Sequence, residues 1–353
     1  MTEATTVLVT GVGGRSVGHQ ILHALQRAAT PYRIVTTDAD PFSFGLYHSG
    51  PGYLVPLAAD PGYLPAITRI IEREGIQVLL PGTEPEVTVL ARHRDALAKM
   101  GCTIIVSPPE VVDLCFDKGG LYRWLAENRV GVPPTADADG WEALADAVGY
   151  PIVGKPTRGS GGSRGVEILA DGEEVLRYLE VRGREGTEVV FQAYVGSAEQ
   201  EYTVGVMTAR DGTLIDTIVM HRKLIGLSLG VSRTIGGRHY ALSTGYSQGF
   251  IVDHAPIAEV CEALVRRLGI VGPANVQLRL DGDAVVVFEV HPRFSGTTSI
   301  RADVGFNEPD VLIRNYISGE VFGRLPYRRN VAAIRSLQHV IVPTSVMDGV
   351  QAP

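Results

Sequence analysis

The segment GYPIVGKPTRGSGGSRGVEIL, at residues 149–169, decides how this chain is interpreted. Its apolar start predicts a β-strand carrying Lys155, and a loop dense in glycine follows before a second strand, GVEILA. Such a loop exposes backbone N–H groups that can surround phosphate oxygens, while the lysine adds a positive charge beside the same anion. The order differs from G-x-x-x-x-G-K-[ST], in which the lysine follows the glycines and precedes a helix. The segment therefore predicts a hairpin flap over a nucleotide, with a flexible surface loop as the alternative.

Composition limits the classes of protein to which the chain can belong. With 353 residues, 41 of them glycine, and 45% hydrophobic residues, it can bury a core in two or three units. A net charge of −7 and the lack of a Lys/Arg block argue against a nucleic-acid partner. The sequence shows no basic leader and no run of 18 consecutive apolar residues, so we expect neither secretion nor a membrane span. Cys102, Cys115 and Cys261 have no disulfide or zinc spacing, so we expect a cytoplasmic protein.

Two kinds of strand pattern divide the chain. In the first hundred residues, apolar runs such as TVLVTG (6–11) and IQVLLPG (76–82) alternate with helical patterns. This alternation predicts a parallel sheet with helices on both faces, a Rossmann-like unit. From about 150 to 292 the strands look longer and are joined by turns such as ARDGT (209–213). Asp-Gly favours tight hairpins, so this half is predicted to be α+β and mostly antiparallel.

A first glycine site lies between the first strand and the first helix. It contains Gly11, Gly13, Gly14 and Gly18, and Asp38 ends the next strand. The pattern resembles a dinucleotide fingerprint, but position 16, where the third glycine of G-x-G-x-x-G would fall, is a serine. Three interpretations stay open: a tight βα turn, a dinucleotide site, and a site for a small anionic substrate. Nothing later in the chain looks like a hydride-transfer site, which argues against an oxidoreductase.

The segment ANVQLRLDGDAVVVFEVHPRFSGTTS (274–299) predicts two hairpin strands. They bring Gln277, Glu289 and His291 towards one end of a sheet, because residues two apart on a strand share a face. An oxygen-rich pair with a third ligand suits Mg²⁺. Arg293 follows, and its planar set of donors suits a phosphoryl or acyl-phosphate oxygen in a transition state. The alternative is a solvated face of an edge strand.

Taken in order, these clusters resemble the ATP-grasp superfamily, especially single-module enzymes similar to the carbamoyl-phosphate synthase large subunit and the pyrrolysine-pathway ligase. The resemblance covers about residues 5–325. Its motifs are DK (117–118), GYPIVGKP with the glycine loop (149–165), VVFQAYV (189–195), EYTV (201–204), NVQL (275–278) and EVHPRFSG (289–296).

The resemblance implies an α/β plus α+β fold in four parts. A Rossmann-like pre-ATP-grasp domain at 1–110 is followed by a two-subdomain ATP-grasp fold. The small subdomain with the phosphate flap is expected at 111–195, and the C-terminal subdomain with the metal site at 196–330. Residues 331–353 form a tail for which the sequence indicates no role.

Residue roles also follow from the resemblance. Lys118 and Lys155 are expected to contact ATP phosphates, Glu201 the ribose, and Arg293 together with Lys155 to be catalytic. The flap is expected to contribute Gly159, Ser160, Gly161 and Gly162, and the adenine-binding hinge Gln192, Ala193, Tyr194 and Val195. Gln277, Glu289 and His291 are expected to hold Mg²⁺, with Mn²⁺ as an alternative. His291 stands where relatives usually have Asn, and because Mg²⁺ prefers oxygen ligands, the role of this position stays open.

The activity implied is ATP-dependent joining of a small carboxylate to an amine, on amino acids or related metabolites, through an acyl phosphate. Homodimers are common among relatives. Candidate substrate residues are Arg222 and Arg238 in the glycine-rich stretch 220–249, and Ser295, Arg301 and Asn307 further on; a solvated mobile loop is the alternative for that stretch. A carbamoyl-phosphate-synthase-like enzyme is disfavoured because the chain has one module and no candidate glutaminase. A non-catalytic nucleotide-binding regulatory protein remains a rival from another class.

Overall fold

The N-terminal part of the chain is built on a parallel sheet. The computed structural model describes residues 4–159, 163–350 and 352–353. The strand order is β3-β2-β1-β4-β5, and each pair of neighbours is parallel. The strands are β1 (Thr5–Thr10), β2 (Tyr32–Asp38), β3 (Gly52–Leu54), β4 (Val78–Leu80) and β5 (Thr103–Ile104); the helices are α1 (Val17–Gln26), α2 (Tyr63–Glu74), α3 (Glu84–Lys99) and α4 (Pro109–Phe116). The expected Rossmann-like unit is confirmed.

A smaller antiparallel sheet of four strands follows, in the order β6-β9-β7-β8. Its elements are β6 (Thr135–Asp137), α6 (Trp141–Val148), β7 (Ile152–Pro156), β8 (Glu167–Leu169), α7 (Gly172–Arg184) and β9 (Val189–Ala193). The preceding helix, α5 (Lys118–Glu127), buries its apolar side chains against the C-terminal sheet. The glycine flap connects β7 to β8, and Ser160, Gly161 and Gly162 lie outside the described residues.

The C-terminal part contains a six-stranded sheet in the order β16-β15-β10-β11-β14-β17, with antiparallel neighbours. Its strands are β10 (Glu201–Thr208), β11 (Leu214–Arg222), β14 (Gly249–Val252), β15 (Gly272–Asp281), β16 (Ala284–His291) and β17 (Val331–Ala333). A separate hairpin consists of β12 (Leu229–Ile235) and β13 (Arg238–Ser243), and the helices are α8 (Ala255–Leu268), α9 (Thr298–Asp303), α10 (Glu308–Ser318) and α11 (Thr344–Asp348). The expected antiparallel α+β half is confirmed.

One hydrophobic cluster joins the first and last parts of the chain. Val9 and Ile21 of the N-terminal domain share it with Ile218 and Phe306 of the C-terminal part. Helix α1 packs against α9 and α10 across this boundary. In the part of the chain that the structure describes, no helix combines the length and the apolar character needed to cross a membrane.

Candidate active site

A cavity lies between the small sheet and the six-stranded sheet. Strands β7, β9, β10, β15 and β16 all contribute to its wall. The structure brings together there nine residues that the sequence singled out: Lys118, Lys155, Gln192, Ala193, Tyr194, Val195, Glu201, Gln277 and Glu289. They are spread over more than 170 residues of sequence and meet only because of the fold.

Two lysines lie in this wall. Lys118 begins α5 because Asp117 caps the helix, with Oδ1 accepting a hydrogen bond from the Gly120 amide at 3.1 Å. Lys155 lies in β7, and its Nζ donates to Gln192 Oε1 at 2.5 Å. Burial lowers the pKa of Lys155 to about 7; Glu289 opposes this shift and Lys118 adds to it. An anion entering the cavity would therefore favour the charged form of this amine.

Glu201 begins β10 and is almost completely buried between two arginines. Arg279 places Nε and Nη2 at 3.1 and 2.9 Å from Oε2, and Arg222 places Nη1 at 3.0 Å from Oε1. Burial alone would raise the pKa of the Glu201 carboxyl, but the two guanidinium groups outweigh it and lower that pKa. The sequence interpretation gave Arg222 a substrate role and missed Arg279. The signal was available, since Arg279 lies two residues after Gln277 and so shares its face of the strand.

The expected metal ligands meet where β15 pairs with β16. Gln277 and Glu289 are register partners, and Gln277 Nε2 donates to Glu289 Oε2 at 2.6 Å. His291 Nε2 lies 3.1 Å from the same oxygen. Lys118 Nζ is 3.9 Å from Glu289 Oε1. Burial raises the pKa of the Glu289 carboxyl, but His291, Lys118 and Lys155 outweigh this effect and lower it strongly.

These donors fit Mg²⁺ only in part. The described residues contain no group of three or more His, Cys, Asp or Glu side chains that could hold a metal. Glu289 supplies one carboxylate, and Gln277 Oε1 accepts from Arg222 Nη1 at 3.0 Å. Mg²⁺ in nucleotide sites typically takes one or two carboxylates together with phosphate oxygens. Glu289 therefore fits an ion that arrives with a nucleotide, and it would hold that ion together with Gln277 only if Gln277 released Arg222.

Glu84, which the sequence interpretation missed, reaches this region from the N-terminal domain. Thr83 caps α3 and so places Glu84 in its first turn, at the carboxyl end of β4. Glu84 Oε1 accepts from Arg293 Nη2 at 2.8 Å and lies 3.3 Å from His291 Nδ1. Burial raises the pKa of the Glu84 carboxyl, but His291 and Arg293 outweigh it and lower that pKa. Side chains at the carboxyl ends of parallel strands commonly form sites, which was the signal available in the sequence.

Several predicted residues lie elsewhere. Arg293 contacts Glu84 and the Phe294 carbonyl, and it is not in the described cavity wall. Arg238 donates to the Gly196 carbonyl at 2.9 Å from an exposed position. Ser295 is buried and hydrogen-bonds with Thr297. Arg301 and Asn307 have intramolecular partners as well: Glu308 Oε1 at 2.8 Å and Asn275 for Arg301, and the Ala24 carbonyl at 2.8 Å for Asn307.

The first glycine site forms a closely packed turn. The Gly13 amide donates to Asp38 Oδ2 at 2.8 Å, and Ser16 caps α1. A Cβ on Gly18 would lie 2.1 Å from the Thr10 carbonyl oxygen, and Gly11 has φ +58. These positions need glycine for close approach and for a left-handed backbone. Packing in the turn thus accounts for Gly11 and Gly18 without a bound dinucleotide, and the Asp38 carboxylate accepts a hydrogen bond from the Gly13 amide of the same turn.

The β12–β13 hairpin extends over the cavity and contacts the small subdomain. Ser163, after the flap, donates to the Ser243 carbonyl at 2.6 Å. Arg233 contacts both carboxylate oxygens of Glu174 on α7, at 2.5 and 2.9 Å, and donates to the Ile168 carbonyl at 2.7 Å. The hairpin therefore connects the flap-bearing sheet to the C-terminal part.

Comparisons with known proteins agree with this architecture. The family model described as "PylC-like, N-terminal domain" matches residues 7–105, and the one described as "ATP-grasp in the biosynthetic pathway with Ter operon" matches residues 197–340. The carbamoyl phosphate synthase large chain of Halobacterium salinarum is 24% identical, over 98% of this chain and 34% of its own length. This chain therefore spans about a third of the length of that curated relative.

Two solved structures share the fold. N5-carboxyaminoimidazole synthetase from Staphylococcus aureus, in complex with ADP, is 13% identical with a TM-score of 0.69, covering 93% of this chain and 81% of that one. The L-amino acid ligase from Bacillus licheniformis is 16% identical with a TM-score of 0.64, covering 89% of this chain and 74% of that one. The two family models confirm the resemblance seen in the motifs: residues 7–105 match a PylC-like N-terminal domain and residues 197–340 match an ATP-grasp domain, and the two solved structures share the fold.

Proposed function

We propose that this protein is an ATP-dependent carboxylate–amine ligase. It transfers the γ-phosphoryl group of ATP to a carboxylate, which gives an acyl phosphate and ADP. An amine then attacks the acyl carbon and expels phosphate, which leaves an amide or peptide bond. The observation that carries the proposal is the convergence of Lys118, Lys155, Glu201, Gln277 and Glu289 on one cavity.

The first step needs charge neutralisation and alignment more than a protein nucleophile. Lys118 and Lys155 supply positive charge in the cavity wall, and the burial of Lys155 makes its charge more effective there. Glu289 and Gln277 are the residues that would hold Mg²⁺ or Mn²⁺, which supplies Lewis-acid stabilisation of phosphate charge. The flap and the β12–β13 hairpin would exclude water, which otherwise hydrolyses an acyl phosphate.

The acceptor side is proposed near the contact between Arg293 and Glu84, where the N-terminal domain meets β16. A guanidinium suits a carboxylate or acyl-phosphate oxygen, and a carboxylate suits an ammonium group. This pair of charges favours substrates that carry both groups, and the shared fold with an L-amino acid ligase supports amino acids or related metabolites. Arg222 is buried behind the cavity wall, where it contacts Glu201 and Gln277, so it is a weaker candidate for the substrate carboxylate than Arg293. A cytoplasmic location and a homodimer remain predictions from the sequence.

The test is incubation of the full chain with ATP, Mg²⁺ or Mn²⁺ and a pool of amino acids, with measurement of ADP, phosphate and new product masses. Formation of ADP that depends on the added amino acids, together with a new mass that corresponds to two of them joined, supports the ligase. AMP and pyrophosphate would overturn the acyl-phosphate mechanism. Lys155→Ala should abolish turnover, and unchanged activity in that variant would place the phosphate site elsewhere.

Two other functions have specific support. The similarity to a carbamoyl phosphate synthase chain favours a phosphorylating enzyme, which would form ADP with bicarbonate and ammonium in place of amino acids. His291, at a position where relatives usually have Asn, favours a non-catalytic nucleotide-binding protein, which would bind ATP without forming ADP. For the ligase, His291→Asn should keep or raise Mg²⁺-supported turnover, because an amide oxygen suits Mg²⁺ better than an imidazole nitrogen.

A further inference from the structure

The Gln277 side chain lies between a guanidinium group and a carboxylate. Its Oε1 accepts from Arg222 Nη1 at 3.0 Å, and its Nε2 donates to Glu289 Oε2 at 2.6 Å. A guanidinium offers only donors, and an ionised carboxylate offers only acceptors. The two neighbours therefore fix the orientation of the Gln277 amide, with its amino group towards Glu289 and its oxygen towards Arg222.

Arg222 is itself held from two further sides. It is the last residue of β11 and is 1% exposed. Its Nη1 also lies 3.0 Å from Glu201 Oε1 at the start of β10, and its Nη2 donates to the Thr244 carbonyl, in the loop after β13, at 2.6 Å. The position of the Arg222 guanidinium therefore does not depend on Gln277.

The orientation of this amide matters for a divalent cation held by Glu289. Mg²⁺ and Mn²⁺ take oxygen ligands, and the amino group of an amide is not one. To present Oε1 on the Glu289 side, Gln277 has to turn its amide over, which directs the amino group towards Arg222. Two donors then face each other, and a strong hydrogen bond from a charged group is lost. Arg222 therefore opposes the use of Gln277 as a metal ligand.

The charges around these residues act in the same direction. Glu201 and Glu289 are the carboxylates in the described cavity wall. Glu201 contacts both Arg222 and Arg279, and Lys118 Nζ lies 3.9 Å from Glu289 Oε1. A divalent cation on its own would add to this excess of positive charge, whereas a nucleotide brings negative phosphates that offset it. The cavity therefore favours a cation that enters together with a nucleotide.

We propose that Arg222 is a positioning residue that controls entry to the metal site: it holds the Gln277 amide in the orientation that does not bind a cation, so that a divalent cation enters only with a nucleotide. The inference rests on the proposed function, because it assumes a nucleotide in the cavity and a cation at Glu289. Phosphate oxygens supply further ligands and negative charge, which offset the cost of turning the Gln277 amide. Binding of the cation ahead of the nucleotide is thereby disfavoured.

The test measures binding of Mn²⁺ to the full chain by electron paramagnetic resonance of the free ion, with and without ATP. Without nucleotide, Arg222→Met should bind Mn²⁺ on the order of tenfold more tightly than wild type, since a hydrogen bond to a charged group no longer holds the amide. Arg222→Gln keeps a donor for Glu201, should show the same gain, and covers the case in which the methionine variant does not fold. Arg92→Met removes an exposed arginine that pairs with Asp113 at 2.8 Å, and it should bind Mn²⁺ as wild type does.

A double variant separates the effect on the amide from the loss of a positive charge. Gln277→Leu should bind Mn²⁺ without nucleotide as weakly as wild type. If Arg222 acts through the amide, adding Arg222→Met to Gln277→Leu should give no gain, because the two residues act as a unit. A gain that persists without Gln277 would be purely electrostatic and would overturn the proposal, as would equal Mn²⁺ affinities of wild type and Arg222→Met.

Binding of ATP, measured separately by isothermal titration calorimetry, distinguishes this inference from the proposed function. In wild type, ATP should tighten the binding of Mn²⁺ by on the order of tenfold or more. If wild type binds no ATP while Arg222→Met shows the gain that requires Gln277, the proposed function is wrong and the hold of Arg222 on the amide stands. If ATP binds and the gain is missing, the ligase proposal is unaffected and this inference is wrong.

Discussion

At the scale of single residues, Glu86 is a buried acid whose hydrogen bonds come from hydroxyl groups. Thr83 Oγ1 is 2.8 Å and Tyr63 Oη 3.2 Å from its carboxylate oxygens, beneath the first glycine turn. Burial raises the pKa of Glu86 from 4.5 to about 7, and the hydroxyl groups only partly oppose this shift. The folded protein therefore binds a proton that the unfolded chain releases at lower pH. The stabilisation is fully present below about pH 4.5 and is lost as pH rises through about 7.

Glu86→Gln should remove this pH dependence. The free energy of unfolding of the variant, relative to wild type, should increase between pH 5 and pH 8 by roughly 2–4 kcal/mol, since each unit of pKa corresponds to about 1.4 kcal/mol. Urea denaturation at the two pH values measures the difference. Glu72→Gln, at an exposed position on α2, is the control and should show no such change. A parallel pH dependence in Glu86→Gln and wild type would contradict the prediction.

Gly18 offers a second test at this scale. An added Cβ would lie 2.1 Å from the Thr10 carbonyl oxygen and 2.4 Å from that of Gly11, so backbone must move. Gly18→Ala should destabilise the protein by about 1–3 kcal/mol or more, as expected for overpacking. Gly183 in α7 has open space around it, and Gly183→Ala should stabilise by roughly 0.5–1 kcal/mol through helix propensity. Thermal denaturation of both variants checks the contrast, and equal shifts would contradict it.

At the scale of elements, the β12–β13 hairpin shows where sequence analysis stopped short. For the stretch 220–249 the sequence predicts either a glycine-rich substrate segment or a solvated mobile loop and no hairpin, because β12 is largely exposed and hydrophobic periodicity gives little signal there. The available signal was Gly236–Gly237, a two-residue turn between two strand-forming runs, and both glycines have positive φ. The long strands β10, β15 and β16 were predicted correctly because they are buried and apolar.

The contact between this hairpin and α7 should control opening of the flap. Arg233→Met removes the contact with Glu174, and we expect faster proteolysis between residues 157 and 166 and a higher KM for ATP. Global stability should change by less than about 1 kcal/mol, because partly exposed ion pairs contribute little. Arg177→Met, which removes an exposed pair with Glu173 on the same helix, should leave proteolysis at wild-type rates. Identical cleavage of Arg233→Met and wild type would show that the hairpin does not restrain the flap.

At the scale of the whole molecule, the tail without a recognised motif connects distant parts. Strand β17 extends the six-stranded sheet, and Arg335 follows it. Its Nε donates to the Ser247 carbonyl at 2.8 Å and its Nη1 to Gln20 Oε1 on α1 at 3.0 Å, and Nη2 contacts the Gly296 carbonyl. Contacts of this kind leave no pattern in the local sequence. The same holds for the hydrogen bond between Glu84 and Arg293, which are 209 residues apart in the sequence. Motifs therefore indicated the nucleotide cavity, whereas the contacts between domains required the structure.

Arg335→Met should weaken the junction between the N-terminal domain and the C-terminal sheet. It removes a donor from the Ser247 and Gly296 carbonyls, at a cost of about 1–3 kcal/mol each where water cannot enter, while Gln20 Oε1 keeps the hydroxyl of Ser299. Equilibrium unfolding should show a loss of that order, with the exposed Arg69→Met as a control that stays within about 0.5 kcal/mol of wild type. A wild-type unfolding curve for Arg335→Met would mean that α1 does not depend on the tail.

The burial of Lys155 has a consequence for chemical labelling. With its pKa lowered to about 7, Lys155 has a much larger uncharged fraction at neutral pH than an exposed lysine with an ordinary pKa near 10.4, which is uncharged less than about 0.1% of the time. Uncharged amines are the nucleophilic form, so a small amine-acylating reagent should modify Lys155 ahead of surface lysines. Bound ATP should block the reaction, and peptide mass spectrometry with and without nucleotide would then report occupancy of the cavity without any knowledge of the other substrates. Acylation spread evenly over all lysines would show that the amine keeps its charge.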